Sequence, residues 1–235
     1  MRSHLRVSKE DGREAALVCG APERVALISS RFGGRLVAQN REYHTYNIPH
    51  RGTEILVVSH GVGSSGAAIC FHELIDLGVK NIIRLGTAGG LGSGSQVGDR
   101  VIPTGAVRKD GVSLQMIPAE YPAVPDFGLT LRLQDEANRA GVKFESGIVA
   151  SSDVFYPGPL DPGLEFYSKA GVIAVEMECS TLFVIGSLRK IRTASFLVLD
   201  GNPLKWDAGV YDPEAPALKQ SIDFGIQICL DTLAS

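Results

Sequence analysis

Short, continuous apolar runs recur along the chain and predict buried β-strands. A strand buried on both faces loses the alternation of apolar and polar positions, because side chains on either side meet the interior. The clearest runs are Ala15–Cys19, Ile55–Ser59, Asn81–Leu85, Arg100–Pro103, Gly147–Ala150, Ile173–Val175 and Thr193–Leu199. The pattern therefore predicts a sheet that is covered on both of its faces.

Between these runs the apolar positions follow helical spacing. In Ser64–Leu77 four apolar residues share one face and Gly78 supplies a stop signal, and a second stripe runs from Leu218 to Leu233. Strands that alternate with helices predict a three-layer α/β/α fold around a mostly parallel sheet. The Pro- and Gly-rich stretches Asp110–Asp126 and Pro157–Gly163 are predicted as loops, which often line sites on a rigid sheet.

Composition narrows the class of protein. The chain has 235 residues, 44% of them hydrophobic and 21% charged, which predicts one globular domain over residues 1–235. A net charge of -3 gives no basic excess for a nucleic-acid partner. The four cysteines form no CxxC pair, the N-terminal segment is charged, and no apolar run is long enough to span a membrane. We therefore expect a soluble, cytoplasmic protein.

A glycine and a proline follow the first predicted strand, in Gly20-Ala21-Pro22-Glu23-Arg24. Proline presets the first helical dihedral angle and Gly20 permits a tight turn, so a helix is predicted to begin here. Its free N–H groups, with Arg24 one turn in, are suited to bind a phosphate. An ordinary turn that carries a solvated arginine has the same pattern.

Arg84 stands inside an apolar run and is followed by Gly86, Thr87 and two further glycines. A buried guanidinium is costly without an anionic partner. The glycines leave room for backbone amides and the Thr87 hydroxyl to reach the same anion. The alternative is a buried salt bridge beside a flexible loop.

The segment Val175-Glu176-Met177-Glu178 places two carboxylates beside a methionine where a strand meets a helix. Glu178 is suited to accept hydrogen bonds from two ribose hydroxyls, and Met177 to give the sugar an apolar floor. The alternative is a pair of acidic residues favoured by the dipole of the helix.

Asp200 ends the last apolar run, and ligands of open α/β sheets bind at strand ends. Burial among apolar neighbours would raise the pKa of its carboxyl and let it carry a proton, whereas a capping aspartate is the alternative. Trp206 either encloses a bound base or packs against other side chains. Phe155 either stacks on a flat heterocycle or belongs to the core. No local pattern explains His4 or the polar segment Asn40-Arg41-Glu42.

In order along the chain, these motifs resemble the nucleoside phosphorylase family I, which includes hexameric purine nucleoside phosphorylases and uridine phosphorylases. The matching motifs are Gly20-x-Pro22-x-Arg24, Asn40-Arg41-Glu42, His60-Gly61-Val62-Gly63, Arg84-x-Gly86-Thr87, Glu176-Met177-Glu178 and Asp200. The resemblance covers almost the whole chain and is closest to the hexameric purine enzymes. It implies a single-domain fold with a mixed, mostly parallel sheet. It also implies phosphate-dependent cleavage of a nucleoside to base and sugar 1-phosphate, without a metal or organic cofactor.

The resemblance implies a role for each matched residue. The phosphate site would consist of Gly20, Arg24, Arg84, Thr87 and, from a neighbouring subunit, Arg41. The ribose would contact Val62, Met177, Glu178 and the neighbour's His4. The base would lie against Phe155, Val175, Glu176 and Trp206, and Asp200 would protonate it. The sharing of His4 and Arg41 implies a homo-hexamer, built as a trimer of dimers.

Departures from the family pattern help to decide whether the base is a purine or a pyrimidine. Ala21 stands where many members carry aspartate, and Thr87 is typical of uridine phosphorylases. Residues 200–207 resemble the Asp-Gly-x-Pro-x-x-Trp-Asp loop of parasite purine enzymes. Uridine phosphorylases bind uracil with a Gln-x-Arg segment where this chain has Pro159-Leu160-Asp161. We therefore expect a purine nucleoside such as inosine or guanosine. The alternatives are a uridine phosphorylase, a hydrolytic nucleosidase and a non-enzymatic ligand-binding protein.

Overall fold

The strands and helices of the chain alternate from the N-terminal to the C-terminal region. The computed structural model describes residues 3–208 and 211–235, and the side chains of residues 206–208 lie outside that description. The strands are β1 (Ala15–Cys19), β2 (Arg35–Asn40), β3 (Tyr43–His50), β4 (Thr53–Ser59), β5 (Asn81–Gly90), β6 (Arg100–Lys109), β7 (Glu145–Ser152), β8 (Val172–Glu176) and β9 (Arg192–Gly201). The α-helices are α1 (Pro22–Arg31), α2 (Ser64–Asp76), α3 (Gly111–Met116), α4 (Phe127–Arg139), α5 (Leu164–Lys169), α6 (Cys179–Arg189) and α7 (Pro216–Ala234), and a 3-10 helix spans Pro203–Ala208.

The strands form one mixed sheet in the order β2-β3-β4-β1-β5-β8-β7-β6-β9, and β9 also pairs with β5. That additional pairing closes β5, β8, β7, β6 and β9 into a ring. β1 lies parallel to β4 and to β5, and β9 lies parallel to β5. The edge formed by β2, β3 and β4 is antiparallel.

Helices cover both faces of the sheet, and β1 shows how the core is divided. Ala16 and Val18 pack with apolar side chains of α2 and α6. Leu17 and Cys19, which alternate with them, pack with side chains of α1, α4 and α7. All five residues of β1 are buried, as expected for a strand between two helical layers. The predicted three-layer α/β/α fold around a mixed sheet is confirmed.

The structure corrects the sequence prediction in two places. The stretch Asp110–Asp126, predicted as a loop, contains α3, whose first turn is capped by the Asp110 carboxylate. Strands β2 and β3 were not predicted, because β2 is a mostly exposed edge strand and β3 mixes polar and apolar residues without a continuous apolar run. Pro157–Gly163 forms no helix or strand, as predicted. In the described part of the chain, every helix is too short or too polar to cross a bilayer.

Candidate active site

A cavity of about 800 Å³ opens where β1, β8 and β9 end, beside the glycine-rich second half of β5. The predicted site residues that line it are Gly20, Arg24, Val62, Arg84, Thr87, Phe155, Val175, Glu176, Met177, Glu178 and Asp200. The fold therefore gathers motifs that are far apart in the sequence around one space large enough for a small organic molecule.

The turn after β1 packs against the turn that precedes α2. The Gly61 N–H donates to the Gly20 carbonyl at 3.0 Å, and the His60 N–H donates to the Cys19 carbonyl at 2.9 Å. A Cβ at Gly20 would lie 3.3 Å from the Gly61 oxygen, so a side chain here would crowd the second turn. Helix α1 begins at Pro22 without a side-chain cap. Its first N–H groups thus have the arrangement that binds anions at helix N-termini.

Arg84 lies beside the cavity between two carboxylates and is 4% exposed. Its Nη2 donates to Oε2 of Glu178, and its Nη1 lies 3.3 Å from Oε2 of Glu176. Burial opposes the charge of the guanidinium, but the two carboxylates outweigh it and raise the pKa of Arg84. The buried salt bridge that the sequence left open is therefore present, and it borders the cavity.

Glu176 binds the backbone at the start of α6. Its Oε2 accepts the N–H groups of Glu178 at 2.7 Å and of Cys179 at 2.9 Å, and its Oε1 accepts the hydroxyl of Ser151. These bonds satisfy N–H groups that a helix leaves without partners at its N-terminus. The Glu176 side chain is 0% exposed, and its oxygens are directed at protein donors. Its contact with a base stays a prediction.

The Glu178 carboxylate joins β5 to the turn that carries Val62. Its Oε1 accepts the Gly63 N–H at 2.6 Å, and its Oε2 accepts from Arg84. Gly63 has a φ of 91°, a conformation that favours glycine. Burial acts to raise the pKa of Glu178, but the charge of Arg84 and the hydrogen bonds from Gly63 and Arg84 outweigh it, so the pKa is lowered and the carboxylate is ionised.

Val62 and Met177 come together at the same wall of the cavity. The Ser64 hydroxyl donates to the Met177 carbonyl at 2.9 Å, which fixes the start of α2 against the junction of β8 and α6. Val62 is 80% exposed, so its apolar side chain is accessible to a ligand. Both residues thus offer apolar surface next to the Glu178 carboxylate.

Asp200 lies at the end of β9, close to the second half of β5. Burial raises the pKa of its carboxyl, and a hydrogen bond with Thr87 opposes that rise. The Asp212 N–H donates to the Asp200 carbonyl at 3.0 Å, which holds the following loop against the strand end. A half-buried carboxyl with a raised pKa is suited to donate a proton. Thr87, predicted for the phosphate site, therefore contacts the predicted acid as well as lining the cavity.

Aromatic rings line the cavity near Asp200. The ring centroids of Phe155 and Tyr211 lie 6.2 Å apart, and those of Phe155 and Tyr156 lie 4.9 Å apart. Tyr156 and Tyr211 also line the cavity and were not predicted as site residues. The sequence signal for Tyr211 was its position as an aromatic residue shortly after the Asp200 loop. The side chain of Trp206 lies outside the described residues.

His4 and Arg41 do not line the cavity of their own chain. Glu73 accepts from Nδ1 of His4 at 2.9 Å and from its backbone N–H at 3.1 Å. The His4 carbonyl accepts from the Asn40 side chain at 2.8 Å. Arg41 occupies the exposed turn between β2 and β3, with a φ of 53°. The two residues therefore share one edge of the molecule, apart from the cavity.

Comparison with known proteins places the chain in a family. Residues 14–222 match the model of the phosphorylase superfamily. The purine nucleoside phosphorylase of Plasmodium vivax is 41% identical over 237 residues, which covers 100% of this chain and 96% of that protein. The structure of purine nucleoside phosphorylase from Toxoplasma gondii in complex with immucillin-H has a TM-score of 0.96 at 32% identity, covering 100% of this chain and 95% of that chain. A uridine phosphorylase from Vibrio fischeri has a TM-score of 0.90 at 31% identity, covering 99% and 96%. The chain belongs to the phosphorylase superfamily.

Proposed function

We propose that the protein is a purine nucleoside phosphorylase, which uses inorganic phosphate to split purine nucleosides or deoxynucleosides into free base and sugar 1-phosphate. The observation that carries the proposal is a single cavity lined by Arg24 and Arg84 for an anion, Glu178 for a sugar and Asp200 for a base. A hydrolytic nucleosidase uses water and has no phosphate for these arginines to bind.

The residues support a complete reaction without a metal or organic cofactor. Cleavage of the bond between sugar C1′ and the base leaves positive charge on the sugar and moves the bonding electrons onto the base. Phosphate held by Arg24 and Arg84 stabilises the sugar, and one of its oxygens then bonds to C1′. Asp200 gives its proton to N7 of the departing purine. Glu178 holds the ribose hydroxyls, so both substrates react within one complex.

Two features favour a purine over uracil. The loop after Phe155 contains Pro159-Leu160-Asp161, which offers neither the side-chain amide nor the guanidinium with which uridine phosphorylases bind uracil. The Plasmodium vivax relative is named for purine nucleosides. We expect a 6-oxopurine such as hypoxanthine or guanine as the base, which makes purine salvage the biological role.

The test is a panel of inosine, guanosine, adenosine, 2′-deoxyinosine and uridine, each assayed with and without inorganic phosphate. We expect phosphate-dependent release of hypoxanthine and guanine, with formation of sugar 1-phosphate. Equal rates with and without phosphate would identify a hydrolytic nucleosidase. Cleavage of uridine alone would identify a uridine phosphorylase.

The location of His4 and Arg41 supports a homo-hexamer in which each pocket is completed by a neighbouring subunit. Co-expressed Arg41→Ala and Asp200→Asn subunits are expected to recover activity that neither variant has alone, because mixed assemblies contain intact pockets. A fully active monomer in sedimentation would contradict the shared site. The four cysteines are free and buried, which supports a reducing compartment such as the cytoplasm.

A further inference from the structure

Both oxygens of the Glu178 carboxylate already accept a hydrogen bond from the protein. Its Oε1 already accepts from the Gly63 N–H at 2.6 Å, and its Oε2 already accepts from Arg84. A carboxylate that holds two ribose hydroxyls needs acceptor capacity directed at the sugar. The Arg84 contact therefore takes up part of the acceptor capacity of Oε2 that the proposed ribose site uses.

Arg84 also has two competing partners, the Glu178 carboxylate and the phosphate of the proposed site. The guanidinium that pairs with Glu178 is also the buried cation of the proposed phosphate site, and phosphate is a strong bidentate partner for arginine. Its Nε has no hydrogen-bond partner among the described residues. The guanidinium thus has an unused Nε donor, while Nη1 and Nη2 contact the two carboxylates and Nη1 also contacts the Cys179 sulfur, so an incoming anion competes with these partners for it.

Gly86 accommodates the paired position of the guanidinium. A Cβ at residue 86 would lie 2.4 Å from Nη1 of Arg84 and 2.8 Å from its Nη2. Cβ atoms essentially never come so close to another atom, so a side chain at residue 86 would displace the Arg84 guanidinium from its position beside Glu178. Gly86 therefore leaves room for the paired position of Arg84.

We propose that phosphate and Glu178 compete for the guanidinium of Arg84, so that phosphate binding releases Glu178 to accept the ribose hydroxyls. This inference rests on the proposed function and adds a coupling between the two substrates of the same pocket. Phosphate draws Arg84 away from Oε2, which then turns to the sugar. Because such coupling is reciprocal, the nucleoside also strengthens phosphate binding.

The direct test measures inorganic phosphate binding by calorimetry, without nucleoside, to the wild type and to Glu178→Gln. The amide keeps an oxygen for the Gly63 N–H but no longer competes for Arg84. We expect the variant to bind phosphate about 5-fold more tightly or better, the lower range of coupling between sites. Unchanged or weaker binding would overturn the proposal.

Glu23→Gln is the matched control, because it also removes one negative charge from the cavity lining but lies on α1, away from the Glu176 and Glu178 carboxylates that contact Arg84. We expect its phosphate affinity to stay within about 2-fold of the wild type, less than the smallest typical coupling. If it strengthens binding as much as Glu178→Gln does, general electrostatics explains the effect and the competition is rejected.

A measurement on the wild type keeps the proposal testable if Glu178→Gln does not fold. Inosine binding is titrated with and without saturating sulfate, which takes the place of phosphate without reacting. We expect sulfate to tighten inosine binding about 5-fold or more. Equal or weaker binding in sulfate would reject the coupling.

The outcomes separate this inference from the proposed function. If Glu178→Gln binds phosphate more tightly but the wild type cleaves no purine nucleoside, the competition stands and the proposed reaction fails. If inosine is phosphorolysed but the variant does not bind phosphate more tightly, only the competition fails. A wild type that binds no phosphate would reject both.

Discussion

Two buried carboxylates lie at the start of α6 in different environments: Asp110 binds its first turn from the residue before α3, and Glu178 is the residue that precedes the helix. Asp110 accepts from the Ser113 N–H at 2.6 Å, the Ser113 hydroxyl at 2.7 Å, the Thr181 hydroxyl at 2.9 Å and the Ser180 hydroxyl. Glu178 accepts from one backbone N–H and from a guanidinium that borders the cavity.

The two carboxylates differ in whether a ligand can compete for the groups that donate hydrogen bonds to them. All donors to Asp110 are neutral groups of the protein, fixed in α3 and α6, and they have no competing acceptor at a cavity. The partner of Glu178 is a cation beside a cavity, where a ligand can replace the carboxylate. A fully satisfied network stabilises one structure, whereas an ion pair at a pocket can change partners. Burial alone therefore does not distinguish a structural carboxylate from a functional one.

The largest effect is expected for Asp200→Asn, which tests whether cavity carboxylates affect activity rather than stability. The amide cannot donate the proton, so kcat/KM for inosine is expected to fall about 10²- to 10⁴-fold, the usual contribution of a general acid. The free energy of unfolding should change by less than about 1 kcal/mol, because the side chain is half-buried and borders the cavity.

The pH profile checks the same residue. Burial raises the pKa of Asp200, and the proposed acid works only when protonated, so wild-type kcat/KM should fall as pH rises through that pKa. This limb should be missing in Asp200→Asn. A variant that retains the wild-type rate would remove Asp200 from the mechanism.

A smaller loss, measured as stability, is expected for Asp110→Ala. The substitution leaves the Ser113, Ser180 and Thr181 donors without their acceptor, so the free energy of unfolding should fall by about 3 kcal/mol in urea denaturation. The kcat/KM of the folded variant should stay close to the wild-type value.

Asp126→Ala is the matched control for Asp110→Ala. Asp126 caps α4 through one bond, from the Leu129 N–H at 2.7 Å, so its loss should cost about 1 kcal/mol. Equal losses for the two variants would show that Asp110 is only a helix cap. A large fall in kcat/KM for Asp110→Ala would contradict the distinction between the two carboxylates.

The smallest effect is the acid sensitivity of the same network. Burial acts to raise the pKa of Asp110, but the hydrogen bonds from Ser113, Ser180 and Thr181 outweigh it and lower the pKa below its usual 3.8. Its contribution to stability is therefore complete above the usual pKa and is lost as the pH falls through the lowered one. Asp110→Asn should lose less stability than the wild type between neutral and acid pH. Parallel stability curves would contradict the pKa direction.

Much of the sheet was predictable, because β1, β5 and β9 are buried on both faces and leave continuous apolar runs. The edge strand β2 and its antiparallel neighbour β3 left no such signal. The alternation of strands and helices also did not reveal that β9 returns to pair with β5. Closure of the ring depends on residues that are far apart in the chain.

The site was predictable as motifs but not as contacts. The sequence singled out Arg84, Glu176 and Glu178, because charges within apolar runs need partners. It could not show that they partner one another, because that depends on how β5 and β8 are brought together in space. Tyr211 was missed because a lone aromatic residue in a loop resembles any packing residue.

The pairing of β5 with β9 has a consequence for how the chain folds during its synthesis. β5 carries Arg84, and its neighbours β1 and β9 lie on opposite sides of it in sequence, with β9 beginning only at Arg192. Contacts of such long sequence separation form late, because the intervening chain must first be ordered. During synthesis, a nascent chain therefore exposes the edge of β5 until β9 has left the ribosome. Interruptions of translation before that strand yield an aggregation-prone fragment without a pocket.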